Sequence, residues 1–487
     1  MNEKRNIVLK DILWYFIGNL APLIVGIIKS PIFTRKFSTE DFGAYSLVFF
    51  VFTYLLIVGY SWITSCVFRY YFRYKEENKI SELYSNLTFL YLSFSVLIFI
   101  ISMVWYGATD SSLIKNLILL CFLQFFTSEI LSLFYVRPRL EGKVFYYNVL
   151  QAVRAIGSFG LLLYLTFVRD YGIEAFLISS TVLNVILIGV VVVPDWVKMK
   201  LSFRQVKKEE LIIFLKYGRI ELIASLCSAF LVSSDRFLIE YFCDLSDVGI
   251  YNQNYIIAQS TVLMLVRIYW ASINPYLLSL LEFRPENMKK QLYEYFKIYF
   301  FCFFPITVYF VIYAKEIAEV MLGEAFRVGY PIIAWAGVAE FIAGMFVLSV
   351  LSLQFKDKFK LISVTYVFGI LANILLNIIL IPLLGYQVAA ITTVAANLFL
   401  LWVFVWKDDD TQGFIFLFCT KELIICLLLI ASQLVVHFIL KQYSFPFYFY
   451  LAEGAVFCLI YFVVALKCKW INLDKVAWKG RGNTKNA

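Results

Sequence analysis

The sequence predicts an all-α membrane protein with about fourteen transmembrane helices, and three observations support this fold class. Apolar residues make up 62% of the 487-residue chain and charged residues 16%, whereas soluble domains contain roughly 45–50% and 25%. Fourteen apolar stretches are each long enough to cross a hydrocarbon core, which takes about 20 helical residues. The basic residues also collect on one side of these stretches.

The predicted spans follow one another closely along the chain. They cover residues 12–33, 43–66, 83–106, 113–136, 144–167, 173–194, 211–241, 248–272, 292–314, 327–353, 359–381, 386–406, 416–440 and 446–466. The longest connection on the basic side, around residues 195–210, has about 16 residues. The loops on the opposite side are shorter still. We therefore expect no soluble domain in the loops.

The distribution of basic residues predicts the orientation of the chain. An even number of spans places both termini on the same side of the membrane. About 30 of the 43 Lys and Arg residues lie on that side, and about 7 lie in the opposite loops. Loops rich in Lys and Arg stay in the cytoplasm. We therefore expect a multi-pass protein whose termini are both cytoplasmic.

Several function classes are disfavoured by what the chain contains. The net charge of +9 is spread over short loops and does not predict a nucleic-acid site. A single histidine, His437, and cysteines without a CxxC pair do not predict a metal site. A Walker-type phosphate loop is absent from the sequence, and so is the long outer loop in which membrane glycosyltransferases and polymerases usually hold substrate. Transport is thus favoured over catalysis, with no cofactor.

An internal repeat organises the spans. Residues 41–45 (DFGAY) after span 1 match residues 247–251 (DVGIY) after span 7, at an offset of 206. A second match, between residues 172–175 (GIEA) and 385–390 (GYQVAA), has an offset of about 213. Repeats of six spans keep their orientation, so they are related by an axis along the membrane normal. The alternative is that DxGxY is only a good helix start, with Asp as cap and Gly in the turn.

The repeat predicts two six-helix lobes around a central cavity, followed by two further helices. We expect an N-terminal lobe in residues 1–200, which holds spans 1–6. A C-terminal lobe then covers residues 201–410 and spans 7–12, and residues 411–487 contain spans 13–14 and a basic tail. Repeated lobes around a midplane site are the usual arrangement for alternating access.

The chain resembles the Wzx-type polysaccharide flippases. The segments that carry the resemblance are 34–38 (TRKFS) with 41–45, 234–239 (SDRFLI) with 248–251 (VGIY), and Asn373, Asn377, 381–382 (IP) and 385–390. Gln387 and Val388 depart from the pattern, since many members have a second glycine there. The resemblance covers essentially the whole chain and implies the fold of the multidrug/oligosaccharidyl-lipid/polysaccharide exporter superfamily.

The resemblance also implies a substrate and partners. Wzx members move undecaprenyl-pyrophosphate-linked oligosaccharides from the inner to the outer leaflet of the bacterial cytoplasmic membrane, for O-antigen, capsule or exopolysaccharide. Expected partners are this lipid-linked glycan, membrane lipids, a polysaccharide polymerase and a chain-length regulator. A cation-coupled multidrug exporter of the same superfamily is the first alternative. That branch needs a carboxylate in the first lobe, whereas span 1 carries Lys29. A membrane glycosyltransferase or polymerase is the other alternative.

Cations inside the spans are the candidate substrate-binding groups, because a pyrophosphate needs compensating charge and Arg binds phosphate oxygens in bidentate geometry. The candidates are Lys29, Arg154, Arg219, Arg236 and Arg267. Arg154 is near mid-depth with no acidic residue one turn away. Arg219 and Arg267 also have a simpler interpretation, since long cationic side chains near span ends reach the headgroups. For Arg236 the alternative is an ion pair with Glu240 at i+4.

Two acids are the candidate coupling residues. Glu129 in span 4 and Glu340 in span 10 are 211 positions apart, close to the repeat offset. Carboxylates at membrane depth are costly and are usually functional or paired. We expect them either to bind a coupling proton or sodium ion, or to neutralise nearby arginines.

Overall fold

The structure is a computed structural model that describes residues 21–22, 24–270, 273, 277, 288–414, 420–443, 445–468 and 470. In these residues the chain forms helices joined by turns, without a β-strand. Eleven helices are long and apolar enough to cross a membrane. The predicted class, an all-α polytopic membrane protein, is confirmed.

The principal helices are numbered here in chain order. They are α1 Ile24–Phe33, α2 Thr39–Glu76, α3 Ile80–Ala108, α4 Ser112–Leu140, α5 Val144–Phe167, α6 Ala175–Met199, α7 Lys208–Phe242, α8 Leu245–Ala258, α9 Met288–Ile312, α10 Glu324–Phe355, α11 Phe359–Leu384, α12 Val388–Lys407, α13 Lys421–Lys441 and α14 Phe447–Lys467. A short helix, Ala314–Met321, precedes α10.

The predicted number of fourteen spans is not established by this count. Three of the helices, α1, α7 and α8, are not among the eleven that meet the length and hydropathy requirements within the described residues. The first eleven residues of predicted span 1, 12–22, lie almost entirely outside the described residues. The remaining predicted spans each fall on one of the eleven helices, with ends shifted by up to ten residues at the inner end of α2.

The start of α2 follows from its sequence. Ser38 is the N-cap: its hydroxyl accepts a hydrogen bond from the Asp41 backbone N–H, and the Asp41 carboxylate accepts one from the Ser38 backbone N–H, both at 3.1 Å. This reciprocal pair is a capping box, which satisfies donors that the first helical turn leaves open. The cap itself is Ser38, and the Asp of DFGAY takes part as the third helical residue of the capping box, although the motif does more than start the helix.

The two DxGxY motifs pack directly on each other. A Cβ atom added at Gly43 would lie 1.7 Å from the backbone oxygen of Leu245, and one added at Gly249 would lie 2.0 Å from that of Thr39. Leu245 and Thr39 each precede the glycine of their own motif by four residues, so the contact is reciprocal. Only glycine permits backbones to approach this closely. The repeat recognised in the sequence is thus expressed as a local two-fold contact between α2 and α8.

Polar side chains reinforce the contact between α2 and α8. The Ser246 hydroxyl donates to Thr39 Oγ1 at 2.7 Å, and the Asn252 amide donates to Ser46 Oγ at 2.8 Å. A π-helical turn is also associated with each helix. It lies within α2 at Ile57–Ser61 and directly after α8 at Gln259–Leu263. Such turns bend helices and occur frequently at functional sites. Their similar positions are a further sign of the repeat.

Close packing divides the chain into two units. Unit 1 comprises Met1–Gln253 and Ile381–Tyr386, and unit 2 comprises Asn254–Leu380 and Gln387–Ala487. Helix α7 and both DxGxY motifs belong to unit 1. The predicted lobe boundaries at residues 200 and 410 describe the sequence repeat, and they stay a prediction.

A cluster of ion pairs joins three helices of unit 1 at their basic ends. Arg137 on α4 donates to Glu141 at 2.8 Å and to Asp195 on α6 at 2.9 Å. Tyr71 on α2 donates to the same Glu141 oxygen at 3.0 Å, and Lys143 donates to the other at 2.7 Å. Glu141 lies just beyond the end of α4, and it is the shared acceptor of the cluster.

Polar side-chain contacts also join helices of unit 2. Lys297 on α9 pairs with Glu422 on α13 at 2.9 Å. Near the other end of α13, the ring nitrogen Nδ1 of His437 lies 3.2 Å from a carboxylate oxygen of Glu453 on α14. These contacts fix the last two helices against α9 and against each other. The only histidine of the chain is thus a packing residue in this arrangement.

Candidate transport site

Arg154 and Glu129 are brought together in unit 1. Arg154 on α5 donates from Nη2 to the Ser128 hydroxyl on α4 at 2.8 Å. The adjacent residue on α4 is Glu129, whose charge interacts with the guanidinium of Arg154. Tyr135 and Tyr147 complete the electrostatic surroundings of Arg154. The leading candidate for substrate binding and a leading candidate for coupling therefore share one site, formed by α4 and α5.

The two charged residues of this site are only partly exposed. Both Arg154 and Glu129 are half-buried. A hydroxyl and an opposite charge compensate the guanidinium, which lowers the penalty of keeping it at membrane depth. An Arg that donates to one hydroxyl keeps donors for an anion, because a guanidinium has five N–H groups. The guanidinium of Arg154 can thus bind an anion while Glu129 remains nearby.

Arg236 is buried in an ion pair. Its side chain donates from Nη1 to Asp235 Oδ1 at 2.6 Å, and only 1% of the residue is exposed. The rings of Phe50 and Tyr251 lie 5.2 and 5.1 Å from the guanidinium carbon. The Tyr251 hydroxyl donates to the other Asp235 oxygen at 2.5 Å. The acidic partner differs from the predicted Glu240 because the adjacent Asp235 turns onto the guanidinium instead.

The Arg236 cluster also assigns a role to the second motif. Tyr251 is the tyrosine of the DVGIY motif. Its hydroxyl donates to the Asp235 carboxylate of the Arg236–Asp235 ion pair on α7. A paired, fully buried guanidinium does not present donors to a substrate in this arrangement. Substrate binding by Arg236 stays a prediction, and the contacts described favour a structural role.

The remaining cations are closer to the surface. Arg219 on α7 and Arg267 after α8 are exposed, as expected for side chains that reach the headgroups. Lys29 on α1 is half-buried and lies 6.0 Å from the centre of the Phe176 ring. Among these three, Lys29 alone is placed to contribute charge within unit 1 at depth.

Glu340 occupies a different environment in unit 2. Its residue is 8% exposed, and its charge acts on the phenol of Tyr299. The neighbouring backbone oxygen of Ala339 accepts a hydrogen bond from Asn397 on α12 at 2.9 Å. The repeat predicted equivalent roles for Glu129 and Glu340. Their surroundings differ, because Glu129 lies near the guanidinium of Arg154 whereas Glu340 lies near the phenol of Tyr299.

Sequence reasoning missed Arg69. The predicted span ends at residue 66, whereas α2 continues to Glu76, so Arg69 lies on the helix and not in a loop. The guanidinium carbon of Arg69 lies 4.9 Å from the ring centre of Tyr217 on α7, and Ser65 one turn earlier donates to Glu221 at 3.4 Å. The signal available in the sequence is helical spacing, since residues 65, 69 and 73 share one face.

The described residues contain no group of three or more His, Cys, Asp or Glu side chains placed to hold a metal ion.

The fold of the described residues, with eleven helices long and apolar enough to cross a membrane, defines a class, the multi-pass membrane proteins. The sequence profile described as polysaccharide biosynthesis protein matches residues 8–281, more than half of the chain. The chain therefore belongs to this family, and the predicted relationship to polysaccharide flippases is confirmed. Among curated proteins, none matches the chain significantly.

Solved structures show which fold this is. The chain is 17% identical to a structure entitled lipid II flippase MurJ, inward closed conformation, with a TM-score of 0.70, covering 94% of this chain and 99% of that one. It is 13% identical to an inward-facing multidrug resistance MATE family transporter of the MOP superfamily, with a TM-score of 0.57 and coverage of 83% and 96%. It is 15% identical to a mutant of the Vibrio cholerae MATE transporter VcmN, with a TM-score of 0.52 and coverage of 84% and 98%. At these identities the likeness concerns the fold alone.

Proposed function

We propose that this protein is a flippase that moves an undecaprenyl-pyrophosphate-linked oligosaccharide from the inner to the outer leaflet by alternating access. The observation that carries the proposal is the polysaccharide biosynthesis family match, in a chain whose fold is like that of a lipid II flippase. The oligosaccharide is the repeat unit of an O-antigen, a capsule or an exopolysaccharide. The protein lies in the bacterial cytoplasmic membrane with both termini in the cytoplasm, and it hands its product to a polymerase and a chain-length regulator.

The site formed by α4 and α5 supports a specific role for Arg154. A pyrophosphate carries a dense negative charge, and an arginine binds phosphate oxygens in bidentate geometry. When the pyrophosphate engages the guanidinium, Glu129 loses its cationic neighbour. A carboxylate at membrane depth without a partner favours the protonated form. Substrate binding and proton uptake are thus linked through one pair of residues, which is the proposed basis for coupling to a proton gradient.

The alternative of a cation-coupled drug exporter rests on the MATE-like fold. A cationic drug would require an accessible carboxylate, whereas the acid at the α4–α5 site already has a guanidinium beside it. An anionic substrate fits this arrangement better. Drug efflux from cells that express the protein, measured with a cationic dye, separates the two functions.

The test is performed in cells that depend on the protein for surface polysaccharide. We expect Arg154→Ala to insert normally but to lose surface polymer at least tenfold and to accumulate lipid-linked oligosaccharide inside. Arg154→Lys retains part of the activity because it keeps the charge but not the bidentate geometry. Arg169→Ala, at an exposed position just beyond the end of α5, is the matched control and remains active. Full surface polymer from Arg154→Ala at normal expression would contradict the assigned role.

The orientation is tested separately. A cysteine placed at position 207 in a cysteine-free background should not react with an impermeant reagent in intact cells, and labelling there would reverse the proposed topology.

A further inference from the structure

We propose that the connector between α6 and α7, together with the end of α6, binds the headgroup of an anionic phospholipid in the leaflet that it faces. This connector surface comprises residues 193–204. It combines exposed apolar side chains with cations that form no ion pair among the described residues, and hydrogen bonds hold it against α3. The inference concerns membrane lipid rather than the transported substrate, so it does not rest on the proposed function.

The connector is fixed to the N-terminal end of α3. The hydroxyls of Ser81 and Ser85 both donate to Gln205 Oε1, at 2.6 and 3.0 Å. The Asn86 side-chain oxygen accepts a hydrogen bond from the Lys207 backbone N–H at 2.9 Å. These hydrogen bonds hold the connector against α3. Binding therefore requires little further loss of conformational entropy.

Apolar side chains of the connector surface are exposed beyond the apolar part of α6. Val193 is 52% exposed, Val197 70% and Phe203 53%. Trp196 packs edge-on against Phe203, with ring centres 6.3 Å apart. Tryptophan is enriched at the level of lipid headgroups, and apolar side chains beside cations are typical of segments that lie in the interface. This part of the surface faces acyl chains rather than water.

Three cations lie among these apolar residues. Lys198, Lys200 and Arg204 are all exposed, and within the described part of the chain none of them has a recorded acidic partner. The next cation behaves differently, because Lys207 pairs with Glu82 at 2.7 Å. The connector surface thus retains unneutralised positive charge where a headgroup phosphate would lie. Clusters of basic residues directly beside a membrane helix attract anionic lipids.

A cavity of about 140 Å³ opens beside Lys198 and supplies a place for the phosphate. Arg137 and Lys143 also line it, as do the acids Glu141 and Asp195. Both acids are already engaged by Arg137, at 2.8 and 2.9 Å. Three cations against two acids leave a net charge of +1 around the cavity. This charge favours a lipid with a net negative charge over a zwitterionic one.

The experiment measures lipid retention by native mass spectrometry. Delipidated full-length protein is exposed to equal amounts of phosphatidylglycerol and phosphatidylethanolamine. We expect preferential retention of phosphatidylglycerol by the wild type. The triple variant Lys198→Gln, Lys200→Gln, Arg204→Gln should retain at least fivefold less of it, with phosphatidylethanolamine unchanged. Lys198→Gln alone should lose at least twofold, which keeps the test decisive if the triple variant folds poorly.

The matched control removes three exposed lysines elsewhere on the basic side, by Lys289→Gln, Lys290→Gln and Lys360→Gln. This control should retain phosphatidylglycerol at the wild-type level. An equal loss in the control would show that general charge, and not the connector surface, attracts the lipid. A wild type without preference for phosphatidylglycerol, or a Lys198 variant and a triple variant that bind like the wild type, would also overturn the proposal.

Discussion

Placing a charged side chain at the centre of a bilayer costs about 2.5–3.5 kcal/mol of insertion free energy. Whether the membrane protein tolerates such a side chain therefore depends on the groups that surround it. Arg154 is kept by the Ser128 hydroxyl and by the charge of Glu129. Arg236 is kept by Asp235 and two aromatic rings. The first arrangement leaves donors available for another anion, and the second encloses the guanidinium. The two arginines are therefore expected to differ in function.

At the residue scale, the paired acids provide a test of coupling. Glu129→Gln removes the group that would take up a proton when substrate displaces it from Arg154. We expect this variant to bind substrate but to lose the stimulation of flipping by an imposed proton gradient by about tenfold. Glu340→Gln is the repeat-related comparison. Unchanged gradient dependence in both variants would eliminate coupling through these acids.

A purely charge-balancing role for Glu129 gives a different result. In that case Glu129→Gln is impaired because Arg154 is left uncompensated, and the additional change Arg154→Gln restores insertion and folding without restoring transport. The two roles are distinguished by measuring expression, substrate binding and gradient dependence on the same preparations.

The sequence identified the charged residues but not their partners. Arg154 has no acid one turn away on its own helix, and its partners Ser128 and Glu129 come from the preceding helix. A helix-to-helix contact of this kind depends on the rotation of both helices, which a single sequence does not specify. The partner of Arg236 was wrong for a local reason, since the i+4 rule favoured Glu240 while the adjacent Asp235 reaches the guanidinium.

At the element scale, the contact between α2 and α8 depends on two glycines. Gly43→Val or Gly249→Val would place a branched side chain against a backbone oxygen that a Cβ alone would already approach within 2.0 Å. We expect each to destabilise the protein by at least the roughly 1–3 kcal/mol typical of overpacking, because backbone cannot move aside as a side chain can. The measurement is thermal unfolding of the purified protein.

A control for this contact is Gly107→Val, since a Cβ at Gly107 would meet nothing within 4 Å. Wild-type stability in Gly43→Val would show that the helices can separate without loss, and the motif would then be only a helix start.

The ion-pair cluster at the basic ends of α2, α4 and α6 predicts a pH dependence. Burial alone would raise the pKa of the Glu141 carboxyl, but hydrogen bonds from Lys143 and Arg137 outweigh burial and lower its pKa from 4.5 to about 2. A carboxyl whose pKa is lowered by folding stabilises the protein above its ordinary pKa. This stabilisation is lost as the pH falls from about 4.5 towards 2.

The corresponding measurement is the unfolding temperature between pH 6 and pH 2.5 for the wild type and Glu141→Gln. We expect the variant to be less stable at pH 6 and to lose less stability on acidification. Glu76→Gln, at an exposed position, serves as control. Parallel curves for the wild type and Glu141→Gln would show that this carboxyl does not contribute through its charge.

The elements themselves were largely predictable, because hydropathy marks a membrane helix strongly. Their ends were less so. Helix α2 extends ten residues beyond the predicted end at 66, through Arg69 and Arg73. Hydropathy reports where the apolar core ends, whereas a helix continues into the polar region while its backbone hydrogen bonds remain favourable. Arg69 was missed as a site residue for this reason.

At the scale of the whole molecule, the repeat was the most informative feature of the sequence. A short match, DFGAY and DVGIY, predicted an axis along the membrane normal. The reciprocal approach of Gly43 and Gly249 is the local expression of that symmetry. The substrate could not be predicted in the same way, because substrate recognition depends on side chains whose positions are set by the packing of many helices. The family match places the chain among the polysaccharide biosynthesis proteins, and its fold is like that of a solved lipid II flippase.

The central claim is that the protein moves a lipid-linked oligosaccharide across the bilayer, and one measurement addresses it directly. Purified protein is reconstituted into liposomes that contain a fluorescent undecaprenyl-pyrophosphate oligosaccharide, and a membrane-impermeant reagent quenches the label in the outer leaflet. Flipping should raise the quenched fraction well above that of protein-free liposomes, and Arg154→Ala should abolish the increase. Quenching equal to that of empty liposomes, with folded protein and an imposed proton gradient, would contradict the claim.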